Sequence, residues 1–143
     1  MKAEFTIPGE PKGKGRPRFS KRGGFVQTYT PKETKSYEEL VAGEYIRQCG
    51  NIKSDCNACI HMEIAAYFCV PKSTSKANRL KMLMHLLFPL KKPDLDNIVK
   101  IIADALNGIA YHDDKQIIRI FAEKFYSDMP CVRVKITSIG QEN

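Results

Sequence analysis

Two pairs of aspartates lie close together in a chain that is otherwise basic. Asp94 and Asp96 are separated by one residue, and Asp113 and Asp114 follow after a stretch long enough for a short helix. Carboxylate oxygens are ligands that Mg²⁺ prefers, and because the ion keeps several waters, two or three converging carboxylates are enough to bind it. A bound divalent ion activates water and stabilises charge on a phosphate under attack. The aspartates therefore predict a metal site that cleaves a phosphate backbone.

The same residues also have structural interpretations. Asp94 is suited to cap the helix that follows it, and Asp96 and Lys100 could form a surface pair that stabilises this helix by about 0.2–0.5 kcal/mol. Asp113 and Asp114 could form a polar turn. A calcium-binding EF-hand is excluded, because the glycine and the final glutamate that its loop requires are missing. Two acidic pairs at the ends of one helix, in a basic chain, favour the metal site over these separate roles.

One amphipathic helix, predicted from Asp94 to Gly108, must position these residues. At about 100° per residue its apolar side chains form a single stripe, made of Leu95, Ile98, Val99, Ile102, Ala105, Leu106 and Ile109. Asp96, Lys100 and Asp104 fall together on the opposite face. Pro93 favours extended backbone ahead of the helix. The charged groups are therefore expected to stand on a helix whose other face is buried.

Length and charge narrow the class of protein. The 143 residues are enough for a domain with its own core, and we expect a single domain over residues 1–143. Lys and Arg outnumber Asp and Glu by 23 to 16, and this net charge of +7 favours a polyanionic partner. No signal peptide or membrane-spanning stretch is evident, and the five cysteines are an odd number. We therefore expect a cytoplasmic protein with reduced thiols, and buried or loop positions for the lone Cys56/Cys59 pair.

A basic stretch over residues 12–25 is rich in glycine and interleaved with aromatic residues. The Gly23-Gly24 pair predicts the turn of a hairpin. The residues predicted to bind DNA are Lys14, Arg16, Arg18, Lys21 and Arg22, together with Lys91 and Lys92 just before the acidic helix. Phe19 or Tyr29 could stack on a base. The alternative is an exposed flap that only keeps the protein soluble, but the concentration of positive charge favours contact with phosphates.

The remaining pattern predicts an α+β fold: a small mixed sheet of about four strands packed with helices, plus a basic N-terminal hairpin or flap. Predicted strands cover residues 3–7, 60–70, 116–126 and 131–139, and predicted helices cover residues 31–49, 73–87 and 94–108. The first of these helices should carry Pro31 at its first helical position. The last two strands flank a short polar turn and are predicted to pair with each other as an antiparallel hairpin.

These motifs resemble the signature of the RusA family of Holliday-junction resolvases. The resemblance rests on Gly15-Arg16-Pro17-Arg18, Thr28-Tyr29-Thr30-Pro31, Lys92-Pro93-Asp94-Leu95-Asp96-Asn97, Lys100, Asp104-Ala105-Leu106-Asn107-Gly108 and Asp113-Asp114-Lys115-Gln116-Ile117. It implies a Mg²⁺-dependent homodimer, with Mn²⁺ as a substitute ion, that is often encoded by phages or prophages and nicks four-way junctions symmetrically. Carried over by residue, it implies that Asp94, Asp96 and Asp114 are catalytic carboxylates and metal ligands, and that Lys100 is the essential lysine.

The resemblance thus implies a structure-specific endodeoxyribonuclease that resolves four-way DNA junctions in recombination and repair. Lys100 would lie beside the scissile phosphate and stabilise the transition state. Two alternatives stay open: a nuclease for other branched DNA, and a basic DNA-binding protein whose carboxylates are only caps and turn residues. Whether one metal ion or two are used also stays open. Cleavage that depends on divalent metal would separate the enzyme from the binding protein.

Overall fold

The computed structural model describes residues 1–16, 18–29 and 31–140, and within 18–29 the one side chain that it describes is that of Lys21. The elements in chain order are β1 (Lys2–Pro8), β2 (Arg18–Arg22), β3 (Phe25–Tyr29), α1 (Lys32–Cys49), β4 (Cys59–Cys69), α2 (Lys76–Leu83), α3 (Leu95–Ala105), a 3₁₀ turn (Asp114–Gln116), β5 (Ile117–Ser127) and β6 (Cys131–Ile139). Four strands form one sheet in the order β1-β6-β4-β5. The predicted α+β fold with a small mixed sheet is confirmed. No helix among the described residues is long and apolar enough to cross a membrane.

β4 lies in the interior of the sheet and shows the clearest alternation. Its buried residues are Ile60, Met62, Ile64, Ala66 and Phe68, and the residues between them are half-buried. β4 pairs antiparallel with β6 and parallel with β5. Because side chains alternate between the two faces of a strand, one face of the sheet supplies the core shared with α1 and α3, and the other face stays partly open.

The predicted hairpin of the last two strands is wrong. β5 and β6 run in opposite directions, but β4 lies between them and pairs with both. Alternation of side chains determines which face of a strand is buried, not which strand lies beside it. With β4 in the middle, the backbone groups on both of its edges are satisfied, as a buried strand requires. β5 is left as an edge of the sheet.

α3 is held against the core along a wider face than predicted. Its buried residues are Ile98, Ile101, Ile102, Ala103 and Ala105. Ile101 was not in the predicted stripe, whereas Val99 was and is only half-buried. The difference arises because α3 packs against α1 as well as against the sheet. Truncating Ile102 to alanine would cost about 2–5 kcal/mol of stability and loosen the helix that carries the charged groups.

The boundaries of all three helices also differ from the prediction, and α3 runs from Leu95 to Ala105 rather than from Asp94 to Gly108. α1 begins at Lys32, with Pro31 at the N-cap position rather than in the first turn. α2 is shorter than predicted: the Ser75 hydroxyl caps it by accepting the Asn78 N–H at 3.2 Å, and the helix ends before His85. His85 has φ of 60°. That left-handed conformation cannot continue a right-handed helix.

The predicted basic hairpin is confirmed in its backbone. β2 pairs antiparallel with β3, so that Arg22 stands opposite Phe25 across the turn. Gly23 and Gly24 have φ of 58° and 83°, a left-handed turn that favours glycine. The side chains predicted to contact DNA from these strands, apart from Lys21, lie outside the described part of the hairpin.

A glycine-rich segment, residues 10–16, connects β1 to this hairpin by running between α1 and the turn before α3. A Cβ atom at Gly13 would stand 2.8 Å from the Cβ of Pro93. A Cβ at Gly15 would stand 2.6 Å from Oγ1 of Thr34, and this oxygen accepts the Gly15 N–H at 3.0 Å. Both positions therefore require glycine if the segment is to lie this close to its neighbours.

Candidate active site

An open cleft of about 1140 Å³ lies between the glycine-rich segment and the turn before α3. Its charged lining residues are Lys12, Lys14, Arg16, Lys91 and Lys92, with Glu10, Glu33 and Asp94. Four predicted DNA-binding residues and one predicted catalytic residue thus share a single cleft. Lys21 is exposed on β2, and the side chains of Arg18 and Arg22 are outside the described ones. The excess of positive charge would attract a phosphate backbone toward the carboxylate.

Asp94 occupies the N-cap position of α3 without capping it. Its backbone is extended, with φ of −65° and ψ of 149°, and its side chain makes no capping hydrogen bond. A carboxylate that served only as an N-cap would accept an N–H of the first helical turn. The structural interpretation of Asp94 is therefore not realised. Its exposed carboxylate stands instead at the positive end of the helix dipole, beside the cleft.

Asp96 and Lys100 are both exposed and lie one turn apart on α3. No ion pair joins them in the described part of the chain. The surface pair offered as their structural interpretation is thus not formed. Both charges are free to interact with a partner outside the chain.

Asp104, which sequence analysis placed on the polar face but not in the site, binds Lys14. The Nζ atom of Lys14 lies 3.1 Å from Oδ2 of Asp104 and 2.5 Å from Oε1 of Glu38, and the three side chains are 19–29% exposed. Burial acts to lower the pKa of Lys14, but its bonds to Glu38 and Asp104 outweigh burial and raise it. The Lys14 N–H also donates to the Asn97 carbonyl at 3.0 Å. Lys14 therefore joins the glycine-rich segment to α1 and α3.

Gln116 holds the turn that carries the second acidic pair. Its Oε1 accepts the N–H groups of His112 and Asp113 at 2.8 and 3.1 Å. Its Nε2 donates to the carbonyl oxygens of Asp55 and Ala58 at 2.8 and 3.0 Å. One buried amide thus ties the acidic turn to the loop that precedes β4, a role that sequence analysis did not assign to it.

Asp114 is exposed at the start of the 3₁₀ turn, close to other negative charges. Burial is the largest of the effects that raise the pKa of Asp114, and the carboxylates of Asp113 and Asp104 raise this pKa further. Because Asp104 belongs to α3, its effect on the pKa of Asp114 indicates that the turn carrying Asp114 lies near this helix.

The predicted metal ligands agree with Mg²⁺ in chemistry. All of them are carboxylates, and the pKa of Asp114 is raised first by burial and then by the negative charge of Asp113 and Asp104, which a cation would neutralise. Among the described residues, however, no group of three His, Cys, Asp or Glu side chains is placed so as to hold a metal ion. Asp94, Asp96 and Asp114 are therefore not brought together as a ready set of ligands, and their convergence stays a prediction.

Lys124, which sequence analysis missed, lies behind the turn that leads into α3. Its Nζ donates to the carbonyl oxygen of Lys91 at 2.7 Å and to that of Pro93 at 3.1 Å. The same atom lies 4.9 Å from the ring centroid of Phe68. Burial lowers the pKa of Lys124, and the charge of Asp94 acts to raise it.

A signal for Lys124 and for Asp104 is present in the sequence. Lys124 follows Ala122 and precedes Tyr126 at alternate positions, so a lysine occupies the core-facing side of a strand, opposite the buried Ala66. Charged residues are rarely found there without a specific partner. Asp104 follows Lys100 by one helical turn and so extends the polar face of the site.

A carboxylate at a helix start, set in a basic cleft, is an arrangement that suits a protein acting on a phosphate backbone. A family model described as endodeoxyribonuclease RusA matches residues 8–137. The chain is also 36% identical over 139 residues, covering 96% of each chain, to the Bacillus subtilis (strain 168) protein named "Uncharacterized protein YqaN". The chain therefore belongs to the RusA endodeoxyribonuclease family, which confirms the resemblance drawn from its motifs.

Proposed function

We propose that this protein is a Mg²⁺-dependent nuclease that resolves four-way DNA junctions by paired, symmetric nicks in recombination and repair. The proposal is carried by the position of Asp94, whose uncapped carboxylate shares one cleft with Arg16, Lys91 and Lys92. Cations around a cleft attract and orient a DNA backbone. A phosphodiester bound there would lie beside the carboxylate. Membership of the RusA family supports a DNA junction as the substrate.

In this proposal Asp94, Asp96 and Asp114 hold the divalent ion, with Mg²⁺ as the expected species and Mn²⁺ as a substitute. When bound, the ion supplies activation of water and neutralisation of charge on the scissile phosphate. Lys100 donates to the phosphate oxygen on which negative charge develops. Its exposure, and the lack of an ion pair with Asp96, support this role.

The remaining basic residues are proposed to bind the arms of the junction. Arg16, Lys91 and Lys92 line the cleft. Arg18, Lys21 and Arg22 follow in sequence on β2, the first strand of the basic hairpin. Lys14 lines the same cleft, but its ammonium group is held by the carboxylates of Glu38 and Asp104, so we propose that it positions the glycine-rich segment and does not bind a phosphate. Phosphate contacts of this kind set affinity and register without reading sequence.

We propose that the protein acts as a homodimer, because one site makes one nick and resolution needs two. β5 is an edge strand on which Ile118 and Phe121 are 58% and 56% exposed. The groove beside Phe121 carries both signs of charge, from Glu63, Glu123, Arg133 and Lys135. A second copy related by a twofold axis could bury the apolar edge and pair acidic with basic residues. These features support β5 and the adjoining open sheet face as the dimer surface.

Phe121→Glu is expected to convert the dimer to a monomer, measured by light scattering during size-exclusion chromatography. Ile46→Glu on α1 is the matched control, since Ile46 is 53% exposed on the helical side of the sheet. The control should remain dimeric. A Phe121→Glu variant that stays dimeric would rule out this surface, and a wild-type monomer would rule out the homodimer.

The proposed function is tested on end-labelled synthetic DNAs incubated with Mg²⁺ or EDTA and separated on a denaturing gel. The set contains a four-way junction, a flap, a fork and a linear duplex. Symmetric cleavage of the junction, in Mg²⁺ only, is the expected result. Faster cleavage of the flap or fork would favour a nuclease for other branched DNA. Binding without cleavage in Mg²⁺ or Mn²⁺ would favour a non-catalytic DNA-binding protein.

A further inference from the structure

We propose that Lys124 is a positioning residue of the active site. Its ammonium group holds the turn from Lys91 to Asp94 by binding two of the carbonyl oxygens of that turn, and so fixes where Asp94 enters the cleft. The inference rests on the proposed nuclease function, in which Asp94 acts on the substrate. Lys124 lies outside the motifs that carry the family resemblance.

The contacts have the geometry of a clamp. The two accepting carbonyls, those of Lys91 and Pro93, lie two residues apart on the turn, at 2.7 and 3.1 Å from Nζ. Hydrogen bonds from an ionised donor are roughly twice as strong as neutral ones. The other end of the clamp is rigid, because Lys124 belongs to β5 and stands opposite Ala66 of the central strand β4. The turn is thus fixed relative to the sheet.

A charged side chain is unusual at this half-buried position. The side chain of Lys124 crosses the edge of the core beside Phe68, where an unbranched apolar residue would fill the space without the loss of hydration that a charge suffers. Burial lowers the pKa of Lys124, as expected for an ammonium group in such a place. What the charge contributes is the pair of carbonyl contacts and its attraction to Asp94, which acts in the opposite direction on the pKa.

The effect of Lys124 on the active site follows from the covalent connection between Pro93 and Asp94. Asp94 is the residue directly after Pro93, so its carboxylate moves with the carbonyl that Lys124 holds. Lys91 and Lys92 of the same turn line the cleft, and Lys91 also places its ammonium 5.8 Å from the Phe68 ring centroid. Without the clamp, the carboxylate and both cations would sample more positions, and misplacement of catalytic groups lowers rate steeply.

The test compares Lys124→Met and Lys124→Arg with the wild type, and Lys2→Met is the matched control. Lys2 is an exposed strand lysine on β1, at the edge of the sheet opposite β5. The first measurement, made without DNA or metal, is hydrogen exchange of the amides over residues 91–97 by mass spectrometry. The second is single-turnover cleavage of a four-way junction, and the third is the salt dependence of junction binding.

Lys124→Met is expected to speed exchange over residues 91–97 while β4 and the last turns of α3 stay protected. Cleavage should fall about ten- to hundredfold, the range seen when residues that orient catalytic ligands are removed. Lys124→Arg, which keeps the donors, should recover most of both properties. Lys2→Met should change neither, and the salt slope of binding should be the same in all four proteins.

Wild-type exchange over residues 91–97 in Lys124→Met would overturn the proposal. So would a salt slope that falls by about 0.9, because Lys124 would then contact a phosphate directly. If Lys124→Met does not fold, Lys124→Gln is measured against the same criteria. A wild-type protein that cuts no DNA would remove the proposed function, while the exchange comparison would still decide whether Lys124 holds the turn.

Discussion

The Nζ atom of Lys14 lies 3.1 Å from Oδ2 of Asp104. The basic stretch therefore contains a cation that is bound within the protein as well as cations that are exposed to a partner. Lys14 points inward to the carboxylates of α1 and α3, whereas Arg16, two residues on, is exposed in the cleft. Both residues were predicted from the sequence to bind DNA. Their surroundings now predict different effects when each is replaced.

Lys14→Met should lower the free energy of unfolding by about 1–3 kcal/mol, because it leaves the half-buried carboxylates of Glu38 and Asp104 without their shared cation. Urea denaturation measures this decrease. The salt dependence of DNA binding should change little. Unchanged stability together with a weaker salt dependence would mean that Lys14 turns to the DNA instead.

Arg16→Ala combined with Arg18→Ala should weaken junction binding and flatten its salt dependence. The log–log slope should fall by about 0.9 for each phosphate that the variant no longer binds. Stability should stay close to that of the wild type, because Arg16 is exposed and makes no ion pair within the described part of the chain. Fluorescence anisotropy over a range of salt concentrations measures the slope. A slope equal to that of the wild type would favour the solubility interpretation of the basic stretch.

Lys100→Met should affect turnover far more than stability. Lys100 is exposed on α3 and has no ion pair with Asp96, so its removal leaves the core untouched. If it stabilises charge in the transition state, single-turnover cleavage should fall by about a hundredfold or more. Thermal unfolding of the same variant provides the control. A variant that binds the junction and cuts it at nearly the wild-type rate would reduce Lys100 to a surface lysine.

Asp114→Asn should make the protein slightly more stable at neutral pH, although it removes a proposed catalytic group. The pKa of Asp114 is raised in the folded state, so its stabilising contribution is present below the ordinary value of 3.8 and is lost as pH rises through the raised pKa. Above that pKa the charged carboxylate is crowded by Asp113 and Asp104. Because Asp114 is exposed, the gain should be small and weaker at high salt.

Thermal unfolding in EDTA at neutral and at acid pH tests this prediction. The variant should have the higher melting temperature at neutral pH, and the difference should disappear below the ordinary pKa of aspartate. A variant that melts lower than the wild type at neutral pH would mean that the charge of Asp114 is stabilising, contrary to the direction of its pKa shift.

The elements of the fold were largely predictable because each depends on local chemistry. Residues close together in the sequence determine three of these features: the alternation of β4, the apolar face of α3 and the Gly23-Gly24 turn. The neighbours of a strand are not determined in this way, since they depend on which edges meet when the chain collapses. The insertion of β4 between β5 and β6 therefore escaped prediction.

In the candidate site, too, the features that depend on local sequence were predictable, and those that depend on contacts between distant residues were not. The position of Asp94 at the start of α3 and the polar face of this helix follow from local sequence, but the missing capping bond of Asp94 does not. Lys124 is about 30 residues from the turn that it holds, and only the parallel pairing of β5 with β4 brings it there. The inward-facing Lys14 depends in the same way on two helices that meet across the glycine-rich segment.

Cleavage of a strand-labelled four-way junction by the wild type and by Asp94→Asn, in Mg²⁺, decides whether Asp94 acts in the reaction. The wild type should nick two opposite strands at symmetric positions and leave ends that a ligase can seal. Asp94→Asn should bind the junction at least as well, because negative charge beside phosphate is removed, and should leave all strands intact. Symmetric nicking by Asp94→Asn at close to the wild-type rate would contradict the account, because the carboxylate in the basic cleft would then have no part in the reaction.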